Sequence, residues 1–280
     1  MPEGDTIFRA ARTLERALAG HDVTRFESVF PRLTRLHQDH PITGRRVERV
    51  ESAGKHLLMH FSGDTILRTH MRMSGSWHIY RPGERWQRPA FDMRILVATA
   101  NFVAVAFNVT VAEFETTRTL ALDSAVAKLG PDLLSPAFDA EEAMARLRAH
   151  ADERINEVLL NQQVVAGVGN VFKSEVLFVC RVDPFAPVSA LDDATLKTIV
   201  ETARTLLRAN VLEMSPNAIV TYHGFRNTTR RGDPEAGLWV YGRARQPCRR
   251  CGTPIAIGKA GQGARLTYWC PACQPPKSPV

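Results

Sequence analysis

Four of the five cysteines fall as two Cys-x-x-Cys pairs, Cys248/Cys251 and Cys270/Cys273, separated by a stretch long enough for one β-hairpin. Each pair can supply two thiolates to one tetrahedral ion, so the spacing predicts a single structural Zn2+ held by all four. Disulfides are the competing use. The unmatched Cys180 and the lack of a secretory start argue against them. Cys180 itself is expected on the apolar face of a helix, as a core residue. A zinc ribbon with no role beyond folding also fits the four cysteines alone.

Charge adds a second constraint. The chain carries a net +7, yet from Gly224 onward ten Lys and Arg face only Asp233 and Glu235, a local +8. A basic block of this kind suits a polyanion such as nucleic acid, with salt-sensitive affinity, although a solvated basic tail has the same composition. One of its arginines, Arg265, lies near the expected hairpin tip Gly261-Gln262-Gly263, within reach of a phosphate. No run of 18 apolar residues occurs in the 280, and MPEGDT has neither a basic nor an apolar leader segment, so a cytoplasmic protein is expected.

Periodicity divides the chain. Ile7, Ala10, Ala11, Leu14, Ala17 and Leu18 recur at helical spacing, with Asp5 expected as N-cap and Gly20 as the stop. From Val23 to about Leu122 short β-type runs follow, among them Lys55–Phe61, Thr65–Arg68, Met93–Ala98 and Phe102–Phe107, suiting a β-sandwich or barrel. Helices are then expected at Asp139–His150, Ile155–Gln162, Val171–Cys180 and Asp192–Glu213. The fold class is α+β: an N-terminal β-sandwich with its own helix (1–128), a helical domain (129–225), and a linker with a four-cysteine β-hairpin zinc finger (226–280). Between two helices, Gly167-Val168-Gly169-Asn170 places Asn170 at an expected N-cap, where backbone N–H groups and the helix dipole can hold a phosphate. The same tetrapeptide also serves as a plain turn and cap.

At the other end, Pro2 follows a removable Met1. Its α-amine would be a secondary amine with a reference pKa near ~8, against ~10.4 for lysine. A helix N-terminus and a cation such as Lys55 both disfavour its protonated form and leave it able to attack carbon; Glu3 can move protons.

Met1-Pro2-Glu3-Gly4-Asp5-Thr6, the Gly54-Lys55-His56 turn, the asparagine-bearing break and the cysteine hairpin with Arg265 occur in one order. Together they resemble the formamidopyrimidine-DNA glycosylase/endonuclease VIII family, from the first residues to about Cys273. The stretch Leu238-Trp239-Val240-Tyr241-Gly242-Arg243 places it nearer the endonuclease VIII-like branch. The resemblance implies a helix–two-turn–helix element in the helical domain and a base-excision-repair enzyme, a bifunctional DNA glycosylase and apurinic/apyrimidinic-site lyase. Pro2 would form a Schiff base with C1′ and the strand would be cut by β,δ-elimination. Pro2, Glu3, Lys55 and Arg265 would be catalytic; His70, Met73, Asn170, Lys173 and Arg265 would hold DNA, with Met73 as the wedge that fills the void left by an extruded base. A buried methionine in a β-turn is the other reading of Met73.

The implied partner is damaged, double-stranded DNA, met at the nucleoid by a monomer. The family's arginine- and phenylalanine-bearing loop has no counterpart in Phe107-Asn108-Val109-Thr110-Val111-Ala112-Glu113-Phe114. The Gln-Leu-Tyr wedge of enterobacterial endonuclease VIII is absent, and the stretch from Met214 to Leu238 is short for a loop capping 8-oxoguanine. Oxidised pyrimidines and abasic sites are therefore the expected substrates. A non-catalytic zinc-dependent binder of damaged or structured DNA is the alternative.

Overall fold

The computed structural model describes residues 2–212, 226–233, 236–260 and 265–276, which fall into two compact units: one within 1–128, the other made of 129–212 with the described part of 226–280.

The first unit opens with α1 (Gly4–Leu18), whose face Ile7, Ala10, Ala11, Leu14, Ala17, Leu18 is buried as the periodicity requires. Its N-cap is Glu3, not Asp5. Asp5 lies inside the first turn, where it accepts from Thr6 Oγ1 and Arg9 Nη2. Gly20, at φ +81°, follows the C-cap Ala19. Then come β1 (Arg25–Ser28), α2 (Pro31–Asp39), β2 (Val47–Ala53), β3 (His56–Phe61), β4 (Thr65–His70), β5 (Ser76–Tyr80), β6 (Met93–Ala98), β7 (Val103–Phe107), β8 (Val111–Glu115) and α3 (Thr117–Leu122). Two antiparallel four-stranded sheets form, in the orders β1-β6-β7-β5 and β2-β3-β4-β8.

Leu57, Met59, Phe61 and Leu67 from one sheet and Phe26, Ile95, Val97, Ala104 and Ala106 from the other form one core, which the apolar face of α1 joins. Burying side chains of this size contributes roughly 1.5–3 kcal/mol each. Because side chains alternate across a strand, fixing Leu57 and Met59 inward forces His56 and His60 outward, and fixing Leu67 inward forces Arg68 and His70 outward.

The second unit contains α4 (Ala140–Arg148), capped by Asp139, then α5 (Ile155–Val158), α6 (Asn170–Val179), α7 (Asp193–Leu212) and an antiparallel hairpin of β9 (Ala256–Ala260) and β10 (Arg265–Trp269). β10 packs on α6. Inside the unit, the Glu175 carboxylate accepts from the backbone N–H groups of Trp239, Val240 and Tyr241 and from Thr228 Oγ1, tying the 226–241 segment to α6. Burial pushes its pKa up while these donors oppose that shift.

Several expected boundaries shift. The α5 helix ends at Val158, four residues before the expected Gln162, because Leu159–Gly169 turns twice before α6 begins. Cys180 is the C-cap of α6, half-buried with Sγ 3.8 Å from the Thr198 carbonyl, and not a residue of the apolar face. The expected hairpin tip 261–263, Glu213, and most of the 214–238 stretch lie outside the described residues. No helix among the described residues is long and apolar enough to cross a membrane.

Candidate active site and nucleic-acid interface

In the first unit, Pro2 is half-buried and Glu3 fully buried at the start of α1. Glu3 has extended backbone geometry, φ −127° and ψ −175°, at the positive end of the helix dipole, where a carboxylate is favoured. Lys55 occupies the two-residue turn joining β2 to β3, a turn that Gly54 permits with φ +56°.

Directly after it, His56 is paired in register with His70 across β3 and β4, the two rings 4.8 Å apart edge to face. Arg68 shares that outer face, buried, reaching Glu115 Oε1 at 3.3 Å, His56 Nδ1 at 3.4 Å and the Glu113 carboxylate. His70 Nδ1 accepts from the Arg72 backbone N–H at 3.0 Å. The resemblance had assigned roles to Lys55 and His70, with His56 only as part of the turn motif; Arg68 and Arg72 join them once the strands are paired.

Burial, then the neighbouring His70, Arg68, Arg72 and Lys55 charges, hold His56 at about 3; burial, then Arg72, Lys55 and Arg68, hold His70 at about 4. Both rings are therefore neutral at neutral pH. In the unfolded chain they titrate near ~6.5, so between that value and the folded ones the unfolded state binds more protons. The stability this contributes is fully present above about pH 6.5 and is lost as pH falls toward the folded values. From about pH 7 to 5, His56 alone accounts for roughly 2 kcal/mol. Thermal melts of wild type and His56→Asn at both pH values test this: the variant should lose clearly less stability on acidification, and equal losses would refute the assignment.

The turn after β4 carries Met73 at its tip, 68% exposed, between Arg72 at φ +52° and Gly75. Met71 beneath it is buried, and the Gly75 N–H donates to the Met71 carbonyl at 2.8 Å. A Cβ on Gly75 would sit 2.5 Å from that carbonyl oxygen, so the turn closes this tightly only with glycine. Met73 is thus a projecting apolar tip and not a buried turn residue. By contrast, the 107–114 stretch is a crossover between sheets whose Phe107 and Val109 are fully buried. Phe91, 79% exposed, is another projecting apolar side chain that periodicity did not single out.

In the second unit the double turn before α6 is braced by Gln162, which donates to the carbonyls of Leu160 and Val168 and accepts from the Gly167 N–H. Gly167 has φ +105°. Gly169 is the N-cap and Asn170 the first helical residue, so α6 begins one position earlier than expected. Asn170 is 7% exposed.

Lys173 requires a correction. It is 1% exposed, and its Nζ donates to Asn170 Oδ1, Leu266 O and Thr267 Oγ1, so it does not itself meet a ligand at the surface. It lies one turn along α6, a helix buried from Asn170 to Phe178. Arg265 begins β10 and is exposed.

The sulfurs of Cys248, Cys251, Cys270 and Cys273 all lie within 4.8 Å of one another, with Cys251–Cys270 at 3.5 Å and Cys248–Cys273 at 4.0 Å. Four sulfurs at Zn–S distances of about 2.3 Å would stand roughly 3.8 Å apart, so the set fits one tetrahedral zinc. Hydrogen bonds from Thr253 pull the Cys251 thiol down to about 6, while burial and the neighbouring sulfurs push Cys273 up to about 12. Thiolates this close need a cation.

Residues 1–120 match the family model described as the formamidopyrimidine-DNA glycosylase N-terminal domain, 129–221 that of its H2TH (helix–two-turn–helix) domain, and 245–276 that of a zinc finger found in FPG and IleRS. The chain is 41% identical over 282 residues to a probable endonuclease 8 2 of Streptomyces coelicolor, covering 100% of this chain and 96% of that protein. It is 39% identical over 276 residues to the DNA-(apurinic or apyrimidinic site) lyase Nei2 of Mycolicibacterium smegmatis, with 98% and 99% covered. Its fold matches the Lactococcus lactis Fpg (MutM) solved with DNA containing N7-benzyl-Fapy-dG, at a TM-score of 0.82 and 23% identity, covering 98% of this chain and 100% of that one. With these three regions in order and such identity over nearly the whole length, the chain belongs to the formamidopyrimidine-DNA glycosylase/endonuclease VIII family.

Proposed function

We propose that this protein is a bifunctional DNA glycosylase and apurinic/apyrimidinic-site lyase of base excision repair, acting on oxidised pyrimidines and abasic sites at the nucleoid. The observation that carries the reading is the start of α1: a proline next to the N-terminus, followed at once by a buried carboxylate, in a chain of this family.

Removal of Met1 frees the Pro2 nitrogen. That nitrogen attacks C1′ of the damaged nucleotide; the glycosidic bond breaks, its electrons leave with the base, and Glu3 supplies the proton the departing group needs. Displacement leaves C1′ bonded to the proline nitrogen and to O4′. The nitrogen gives up its proton, and the C1′–O4′ bond breaks with O4′ taking a proton. The resulting C1′ iminium acidifies the neighbouring C2′–H, so β-elimination followed by δ-elimination releases the two phosphates. Lys55, beside the neutral His56 and His70, supplies positive charge at the phosphate flanking the site, and the neutral imidazole of His70 contributes hydrogen bonding without adding charge. Met73 fills the void of the extruded nucleotide.

Asn170 and Arg265 grip phosphates from the second unit, with 129–225 as the helix–two-turn–helix domain and 226–280 as linker and finger. Zinc, held by the four cysteines, orders the hairpin that bears Arg265 and takes no part in bond breaking. Preference for pyrimidines rests on the 107–114 crossover, which carries no arginine and buries Phe107 and Val109. Duplex DNA containing thymine glycol or an abasic site, incubated with the Met-processed protein and borohydride, should give a covalent adduct and a nicked strand. Binding without adduct or cleavage would instead favour the non-catalytic binder.

A further inference from the structure

Lys173 is a cation sealed into a helix, Asn170–Val179, whose other buried charged group, Glu175, is taken up by donors of the 226–241 segment. Burying an ammonium is costly unless its donors are met, and a position needing only packing would take an apolar residue. Three acceptors among the described residues come from two elements: Asn170 Oδ1 at 2.8 Å on α6, and Thr267 Oγ1 at 2.9 Å and Leu266 O at 3.3 Å on β10. Thr267 is itself fully buried and also accepts from Asn156 Nδ2 at 3.2 Å.

The chemistry of lysine fixes the orientation of the asparagine. An ammonium can only donate, so the Asn170 atom facing it must be the amide oxygen and the NH2 must point the other way. Among the described residues no hydrogen-bond acceptor takes that NH2. Nor is it among the sealed unpartnered atoms of the described residues, which are Asn156 Oδ1 and Arg204 Nε. The same ammonium holds the carbonyl of Leu266, the residue after Arg265.

We infer that Lys173 is a positioning residue: it locks the Asn170 amide donor-outward and ties it to the strand bearing Arg265, so that the two groups meet the phosphate backbone as one preset pair. This rests on the proposed function in taking DNA phosphate as the ligand. It predicts coupling, which a merely structural lysine would not produce.

The test is a double-mutant cycle of Lys173→Met and Asn170→Ala in the full-length, zinc-loaded protein. Binding is measured to duplex DNA carrying a tetrahydrofuran abasic analogue, which cannot form a Schiff base, with zinc content and Tm as controls. Lys173→Met should weaken binding about tenfold when Asn170 is present and less than about twofold when it is Ala. Borohydride trapping at saturating abasic-site DNA should stay near wild type while the half-saturating concentration rises. Losses that multiply, or unchanged affinity in Lys173→Met, would overturn the inference.

Should Lys173→Met lose zinc or fail to fold, Asn170→Asp serves in its place, because it keeps the size and the Lys173 contact but removes the outward donor. It should weaken binding at least as much as Asn170→Ala, and unchanged affinity would be decisive against the inference. Wild type that binds the analogue yet traps no adduct on a true abasic site would defeat the enzyme reading while leaving the cycle legible. Failure to bind DNA at all would overturn both.

Discussion

Protein that retains Met1 should trap no adduct with abasic-site DNA, while binding the same DNA as tightly as the processed form. The nitrogen of Pro2 is then an amide, its lone pair delocalised into the peptide bond, and it cannot add to C1′. The expected loss is about 10^3-fold or more in the rate of adduct formation, equivalent to at least ~4 kcal/mol of barrier. Electrophoretic trapping on matched preparations, one with Met1 confirmed by intact mass, measures it. Binding should survive because Asn170 and Arg265 belong to the other compact unit. An adduct of undiminished rate from the Met1-bearing form would move the nucleophile to a lysine, with Lys55 first in line.

Removing zinc should have the second large effect, and on a different quantity. Apparent binding free energies of structural zinc are roughly 10–16 kcal/mol near neutral pH, so the cysteine cluster is not expected to hold its arrangement without the ion. Cys248 and Cys270 are part of a small core with Phe178, Val240 and Ile255, and the strand leading to Cys270 is the one Lys173 grips. A strong chelator should therefore loosen the hairpin and reduce DNA affinity by about two orders of magnitude or more, as two charge-assisted contacts of ~1.5–3 kcal/mol are disrupted. The sandwich in the first unit, which has its own core, should keep its β-type circular dichroism. Chelated, zinc-free protein that binds with the wild-type affinity and salt slope would show the finger to be dispensable for binding.

What could be seen in the sequence was whatever local pattern encodes. The cysteine spacing states its own ligand set, the face of α1 states its own burial, and Met93–Ala98 is a strand with the bounds its apolar run suggests. The α2 helix was not visible among β-type runs because Leu33 is its only buried residue, leaving almost no apolar stripe. β2 was hidden by its charges, Glu48, Arg49 and Glu51, which are exposed on a strand at the edge of its sheet.

The cluster around His70 was half legible for a similar reason. Lys55 and His70 stand in recognisable motifs, but His56 opposite His70 is a fact of register between two strands, which no single segment contains. Lys173 was the hardest, since a lysine one turn beyond an asparagine expected to bind phosphate suggests a ligand contact. Only the packing of β10 against α6 turns it into a buried brace.

The close approach of Gly75 to the Met71 carbonyl gives the turn after β4 a rigid base and an unconstrained summit. Nothing in that hydrogen-bonded base depends on which side chain stands at position 73, where Met73 leaves the surface freely. The loop is in effect a mount with an exchangeable tip: probes of different length or stiffness can be fitted at 73 without redesigning their support. On the proposed role of Met73, the size of gap in DNA that the protein fills would then be adjustable through one codon.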